Sequence, residues 1–169
     1  MSAVRPDLAG PAQAIANLLK ARGETVAVAE SSTGGLVSAS LLAVPGASAY
    51  FLGGTIIYTL KARNRLLGVA QETLKTQTPL SADYVTLCAR TIRQRLDATW
   101  GVAELGATGP AGTPYGHPPG ICVLAVDGPV TLTFRIENGS ADREANMWAF
   151  TYAALNLLAR ALGETGAGA

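Results

Sequence analysis

The sequence predicts an α/β protein: a three-layer α/β/α sandwich with a mixed, mostly parallel sheet. Three observations carry that expectation. Elements alternate along the chain as helix, strand, helix, strand, two helices, two or three strands and a helix, an order that builds a sheet covered on both faces. Val26 to Ala29 is an unbroken apolar run, as in a central strand, and it leads straight into a glycine turn that opens a helix. The 169 residues are 49% hydrophobic and only 15% charged, so much of the chain has to be buried in one sizeable core.

Taken in order, Ala12 to Arg22 places Ile15, Leu18, Leu19 and Arg22 at helical spacing, with Gly23 as a natural stop. Thr25 to Glu30 is the first strand, and the helix after Gly34 runs to about Ala43, ahead of Pro45-Gly46. Ala47 to Phe51 reads as one helical turn. Thr55 to Thr59 is β-branched and aromatic and reads as a strand preceded by Gly53-Gly54. Lys61 to Leu67 is a short basic helix stopped by Gly68, with a further turn near Glu72. Ser81 caps a helix from Ala82 to Leu96 that buries Val85, Cys88, Ala89, Ile92 and Leu96. A third strand spans Thr99 to Leu105. Gly106 to Gly120 is too rich in glycine and proline for regular structure, and a loop of that length is usually functional or disordered. Ile121 to Val126 and Val130 to Ile136 form a hairpin about Asp127-Gly128-Pro129. A final helix runs from Arg143 to Leu162 with Trp148, Tyr152, Leu155 and Leu158 on one face. Residues 11–163 make a single domain without repeat or linker, and 1–10 and 164–169 are expected to fray.

Composition narrows the partners. A net charge of +1 with no basic run gives no footprint for nucleic acid. No stretch reaches the ~18 apolar residues of a membrane span, and Arg5, Pro6 and Asp7 interrupt any signal-peptide core. Cys88 and Cys122 are isolated in apolar runs and read as buried free thiols, so a cytoplasmic location is expected. Low charge with many small residues suggests apolar surface covered by another copy, hence a homo-oligomer.

Negative searches narrow the chemistry. There is no phosphate-binding G-x-x-x-x-G-K-[ST] and no G-x-G-x-x-G, no G-x-S-x-G elbow and no S-x-x-K. His117 is the single histidine, so a Ser-His-Asp triad would have to form through the long loop. No cysteine or histidine pair has zinc spacing and the carboxylates are scattered, so no metal is expected. What remains are loops that meet at the carboxyl ends of the strands, where open α/β sheets bind ligands. Glu30 to Gly35 offers a carboxylate, the hydroxyls of Ser31, Ser32 and Thr33, and glycine amides at a helix start, a setting that favours an anion. Tyr58 is followed by Lys61, Arg63 and Arg65; Thr108 and Gly109 start the long loop; Ser140 to Arg143 precedes the last helix. Together these suit a phosphorylated small molecule. Without histidine, a serine nucleophile needs Lys, Tyr or Arg nearby. The plain alternative is a strand–helix connection with a serine or threonine cap, a solvated basic helix face, and Arg143 paired with Asp142 or Glu144.

At this point a resemblance enters. Ala29-Glu30-Ser31-Ser32-Thr33-Gly34-Gly35-Leu36 resembles the A-E-S-C-T-G-G-L signature of the CinA C-terminal domain, the nicotinamide-nucleotide amidohydrolase family. Val44 to Gly54 is similar to its V-P-G-S-S-x-Y-F-x-G-G, and Tyr58 with Arg65-Leu66-Leu67-Gly68-Val69 continues in register. Gly106 to Gly112 loosely resembles its T-G-I-A-G-P segment. The resemblance covers about residues 11 to 162. It implies a three-layer fold, often oligomeric, and hydrolysis of the carboxamide of nicotinamide mononucleotide to nicotinate mononucleotide and ammonia with no cofactor. By that resemblance Glu30 and Ser31 are the Glu-Ser pair, with Ser31 the nucleophile. Tyr58 is the family tyrosine, handling the proton with Lys61 or a neighbour. Thr33, Gly34 and Gly35 hold phosphate through backbone amides, helped by Arg63 or Arg143, with Ser32, Thr108 and Gly109 at the substrate.

The departures are specific. Ser32 stands at the family's cysteine. Arg63 aligns with the lysine of Y-S-N-E-A-K, where Lys61 falls at the glutamate, and arginine effectively cannot serve as a base. Glu104 to Pro110 and Tyr115 to Pro119 differ from the common run, and Met147 stands near the second arginine of G-x-R-x-x-I-R. Two alternatives therefore stand beside the amidohydrolase: a non-catalytic nucleotide-binding or regulatory domain, and hydrolysis of a different amide or ester by the same serine.

Overall fold

The computed structural model describes residues 5–166. Helix α1 (Ala9–Arg22) leads into strand β1 (Val26–Glu30), followed by α2 (Leu36–Leu42) and a short 3-10 turn at Ala47–Ala49. Strand β2 (Phe51–Ile56) and helices α3 (Leu60–Arg65), α4 (Gln71–Thr76) and α5 (Ala82–Arg95) come next. Strands β3 (Trp100–Ala107), β4 (Ile121–Asp127) and β5 (Thr131–Glu137) precede the long α6 (Arg143–Gly166). The sheet order is β2-β1-β3-β4-β5. β1 lies parallel to β2 and β3, β4 is antiparallel to β3, and β5 is antiparallel to β4. Four of the five strands therefore point the same way and β4 alone runs against them.

Alternation along the strands feeds two cores. Val26, Val28, Trp100, Val102, Cys122, Leu124 and Val126 face α1, α2 and α6. Ala27, Ala29, Ala103, Leu105, Val123 and Ala125 face α5 and the segment from Leu67 to Leu74. This is the expected three-layer sandwich, with β1, β3 and β4 buried on both faces.

Several boundaries differ from the sequence expectation, each for a local reason. The strand expected at 55–59 instead covers Phe51–Ile56, because Gly53-Gly54 is part of the ladder. A Cβ at Gly54 would lie 2.6 Å from Ser38 Oγ, so glycine there lets α2 sit close over the sheet. Tyr58 lies beyond the strand, and Thr59 caps α3 by accepting from the Ala62 amide. β3 continues through Gly106 and Ala107 rather than ending at Leu105. Leu96 lies just past α5 and is 37% exposed, and Tyr152 points outward from α6 at 40% exposure, so neither belongs to its helix's buried face. That face on α6 carries Phe150, Ala154, Leu155, Leu158 and Leu162.

Both expected frayed ends are shorter within the described residues. The Asp7 carboxylate accepts from the amides of Ala9 and Gly10 and holds the start of α1. Arg22 donates to Thr165 Oγ1 and ties down the end of α6. Residues 1–4 and 167–169 lie outside the described residues.

Candidate functional site

Because β1, β2, β3 and β5 run the same way, the segments that leave them emerge at one rim of the sheet: residues 31–35, 57–59, 108–120 and 138–142. The rim is the site that the sequence points to, but its polar groups are wired differently from the expectation.

Glu30 is 1% exposed, and both its oxygens are occupied by donors of the turn and of α2. Oε2 accepts from Thr33 Oγ1 at 2.7 Å, Gly35 N at 2.9 Å and Val37 N at 3.0 Å. Oε1 accepts from Ser38 N at 2.8 Å and Ser38 Oγ at 2.6 Å. The anion that suits this helix start is thus the chain's own carboxylate. Glu30 therefore shapes the turn, and of the three amides expected to hold phosphate those of Thr33 and Gly35 are taken by carboxylates while that of Gly34 is not. Gly35 is left-handed, with φ of 104°, which turns the chain from β1 into α2.

A second buried carboxylate, not singled out from the sequence, completes the turn. Glu104 on β3 is 1% exposed. Its Oε1 accepts from Ser31 N at 2.5 Å, Thr33 N at 2.8 Å and Thr33 Oγ1 at 2.9 Å, and its Oε2 contacts Ser32 Oγ at 2.7 Å. Ser32 and Thr33, expected at the substrate, therefore have their hydroxyls committed to carboxylates. Burial pushes the Glu104 pKa up, against the hydrogen bonds from Thr33, Ser32 and Ser31 that lower it. A carboxylate inside an otherwise apolar, doubly buried strand was the signal available for it in the sequence.

What the two carboxylates leave free is informative. Among the described residues, Ser31 Oγ has no hydrogen-bond partner, and because no buried side-chain oxygen lacks one, this oxygen is the part of the 5% exposed Ser31 that reaches solvent. The amides of Ser32 and Gly34 on either side of Thr33 have none either. Extending the alternation of β1 by one residue places Ser31 on the side of Ala27 and Ala29, the α5 face.

That face holds a cavity of about 470 Å³, lined by Tyr58, Arg63, Lys75, Tyr84, Leu105, Gly106 and Tyr115 among others. Gly106 is its boundary with the serine turn: a Cβ there would lie 2.4 Å from Ser32 Oγ and 3.0 Å from the Phe150 ring. Ser31 itself is not part of the lining. Arg63 donates from Nε to Ile57 O at 3.1 Å and from Nη1 to Tyr84 OH at 2.7 Å, with its guanidinium 5.1 Å from the Tyr84 ring centre. Burial raises the Tyr84 pKa even though Arg63 opposes it. Lys61 is exposed and faces a separate groove with Asn64, Arg65 and Gln71, so the expectation that it serves Ser31 is corrected: two residues along a helix turn it away from Arg63. Tyr84 and Lys75 were missed in the sequence because they sit on helices, at positions that read as core and solvated face.

Arg143 joins three of the rim segments. It donates from Nη1 to Gly109 O at 2.7 Å and from Nη2 to Tyr58 OH at 3.3 Å. Beneath it Asn146, fully buried, donates to Thr108 O and Ser140 O, both at 2.8 Å, and accepts from Asn138 at 2.8 Å. Thr108 is buried under this clamp. Gly109 has φ of 101° and approaches Ala141 O so closely that a Cβ would lie 2.7 Å away. Met147 reaches the glycine turn, with Cε 3.3 Å from where a Gly34 Cβ would stand. The long loop is folded by its own bonds: Thr113 N donates to His117 O, and His117 N to Thr113 Oγ1.

No described group of three His, Cys, Asp or Glu residues is placed to hold a metal ion, and no described helix is long and apolar enough to cross a membrane. Both cysteines are free and buried. Burial pushes the Cys88 thiol up to about 12, and burial with the neighbouring Glu104 pushes Cys122 well up, so neither is a thiolate nucleophile.

Comparison with known proteins gives a consistent picture. A family model described as the CinA C-terminal domain matches residues 9–162. A CinA-like protein of Prochlorococcus marinus (strain MIT 9313) is 45% identical over 118 residues, covering 70% of this chain and 28% of that protein. A putative competence-damage inducible protein of Halothermothrix orenii is 38% identical over 151 residues, covering 88% and 36%. The chain thus spans about a third of the length of these curated relatives. Among solved structures, a competence-damaged protein (CinA) superfamily protein from Klebsiella pneumoniae 700603 superposes with TM-score 0.87 at 27% identity, covering 94% of this chain and 99% of that one. The competence/damage inducible protein CihA from Agrobacterium tumefaciens gives 0.85 at 32% identity, covering 96% and 99%.

Proposed function

The chain belongs to the CinA C-terminal domain family, and from that premise we propose that it is an amidohydrolase that deamidates nicotinamide mononucleotide with Ser31 as nucleophile. The observation that supports this reading most is the unpartnered Ser31 hydroxyl in a turn whose neighbouring hydroxyls are all committed. Ser31 Oγ attacks the amide carbonyl, and the free amides of Ser32 and Gly34 receive the oxygen as it gains charge. Tyr58 manages the proton. The register supports this: Ile57 N donates to Glu30 O at 2.6 Å, so the residues that follow, Ser31 and Tyr58, leave neighbouring strands side by side. Arg143 Nη2 donates to the Tyr58 hydroxyl at 3.3 Å and so fixes where that hydroxyl stands. Tyr58, Tyr84 and Tyr115 offer ring faces to a pyridinium, and Arg63 with Lys75 offers cations to the phosphate.

Ammonia release from nicotinamide mononucleotide is the direct test. Wild type is expected to turn over, and Ser31→Ala to lose that turnover while keeping the wild-type circular dichroism spectrum. Full activity in Ser31→Ala removes the serine mechanism.

A second reading has its own observation. No ionisable group hydrogen-bonds to Ser31 Oγ among the described residues, and the position of the family lysine holds Arg63, a residue type that does not serve as a base and that here donates to Ile57 O and Tyr84 OH. That arrangement suits a domain that binds the nucleotide without consuming it. Calorimetry showing tight binding, with no ammonia formed, decides for this reading; turnover decides against it.

A further inference from the structure

The two buried carboxylates of the serine turn meet at one hydroxyl. Thr33 Oγ1 lies 2.7 Å from Glu30 Oε2 and 2.9 Å from Glu104 Oε1, so the two carboxyl groups stand within two hydrogen-bond lengths of each other. A threonine hydroxyl has one proton and satisfies only one of them. Neither carboxylate is bonded to an arginine, lysine or histidine among the described residues. Two like charges this close and this deeply buried are unfavourable, and one proton on the pair relieves them.

The hydrogen-bond partners say where that proton sits. Both oxygens of Glu30 receive backbone amides, which only donate. Glu104 Oε1 receives the amides of Ser31 and Thr33. Glu104 Oε2 alone faces no backbone donor: its partners are the Ser32 hydroxyl at 2.7 Å, which accepts as readily as it donates, and the Cys122 thiol at 3.6 Å. We propose that Glu104 is a neutral carboxylic acid in the working protein, its Oε2–H donating to Ser32 Oγ, and that in this form it positions the Ser31 turn without placing a second negative charge beside it.

The functional part of this inference rests on the amidohydrolase reading. Glu104 acts through Ser31 and Thr33, whose amides it holds, and so is a positioning residue. The free amides of Ser32 and Gly34 alternate with the held ones along the same four residues. An ionised Glu104 would oppose negative charge developing there, whereas the neutral acid keeps the same geometry without that opposition. The ionisable groups facing Glu104 are Glu30 from β1, Cys122 from β4 and Cys88 from α5, and none of them supplies a positive charge to hold Glu104 ionised. Burial favours the neutral form of Glu104.

The test separates the protonation state from the activity. Carbon-13 spectra of the glutamate side-chain carboxyls, recorded from acid to alkaline pH, are expected to show one carboxyl still protonated at neutral pH. That resonance is absent in Glu104→Gln and is the one that moves in Ser32→Ala, which provides the assignment if the first variant fails to fold. A Glu104 carboxyl fully ionised at neutral pH overturns the proposal, whatever the protein hydrolyses. Where turnover is measurable, kcat/KM is expected to fall on the alkaline side as Glu104 loses its proton, and Glu104→Gln to abolish that fall. Glu104→Ala, which orphans two buried amides, is expected to lose about tenfold or more at every pH, and Glu104→Gln to recover most of that loss. An alkaline limb unchanged in Glu104→Gln overturns the functional part alone.

Discussion

Five donors converge on the carboxylate of Glu30, and they come from four residues spread along the turn and the first coils of α2. One side chain therefore fixes both where β1 ends and how α2 begins. Replacing it with alanine leaves several buried amides and hydroxyls without acceptors. Glu30→Ala is expected to destabilise the protein by about 3 kcal/mol, read as a drop in the urea midpoint. A change under about 0.5 kcal/mol would mean that water takes over the role and that the carboxylate is dispensable for folding. Residues of this rim were unequally legible in the sequence. Ser31 and Tyr58 lie in loops, Arg143 opens α6 and Arg63 stands in the last turn of the short α3, so each stood out in the sequence from the apolar pattern around it. Glu104 and Asn146 were hidden, because a polar residue inside a strand or helix shows its purpose only through partners far away in the chain, here Ser31 and Thr108.

Glycines decide how closely the elements approach. Gly101 on β3 lies under α5, where a Cβ would come within 2.1 Å of Ala89 O and 2.8 Å of Arg93 Cβ. Both obstacles belong to the body of a helix, which cannot give way without moving. Gly101→Ala is expected to cost about 1–3 kcal/mol in denaturant unfolding, with native-like activity in what remains folded. Directly across the ladder from Gly101, the same helix interface carries an ionic clamp. Asp127 at the end of β4 accepts from Arg93 Nε at 2.8 Å, Arg90 Nη2 at 3.1 Å and Thr131 Oγ1 at 3.1 Å. Burial alone would raise the Asp127 pKa, but Arg93 and Arg90 outweigh it and hold the carboxyl below the ordinary aspartate value. A lowered folded pKa means that this contribution to stability is complete above the ordinary aspartate range and disappears as pH falls through the lowered value. Asp127→Asn is accordingly expected to flatten the acid limb of stability against pH, and an unchanged acid limb would place acid sensitivity elsewhere. At this scale the sequence located elements well and misjudged Gly53, Gly54 and Gly106, since a glycine needed for close packing looks identical to one that breaks a strand.

The two cores lie on opposite faces of one sheet, and β1, β3 and β4 contribute to both, so neither core survives loss of the other. Unfolding is expected to be a single transition. The two tryptophans test this, because they report different places: Trp100 is fully buried in the sheet with Nε1 donating to Glu24 at 2.7 Å, while Trp148 lies on α6 under the Arg5 guanidinium. Single-tryptophan variants followed by fluorescence should give urea midpoints that coincide with each other and with circular dichroism. A separate, earlier transition for Trp148 would show that α6 comes away on its own.

The loop between β3 and β4 has its ends fastened and its middle independent. Gly120 N bonds Ala107 O at the base, Asn146 grips Thr108 O, and Thr113 and His117 close a turn of their own beyond that base. Residues between those fastenings support no strand and belong to neither core, yet Thr113, Pro114 and Tyr115 form one wall of the cavity. Such a segment is a replaceable cassette. Its length and residues can be exchanged to reshape what the cavity admits, while the sheet, the serine turn and the two carboxylates behind it stay as they are.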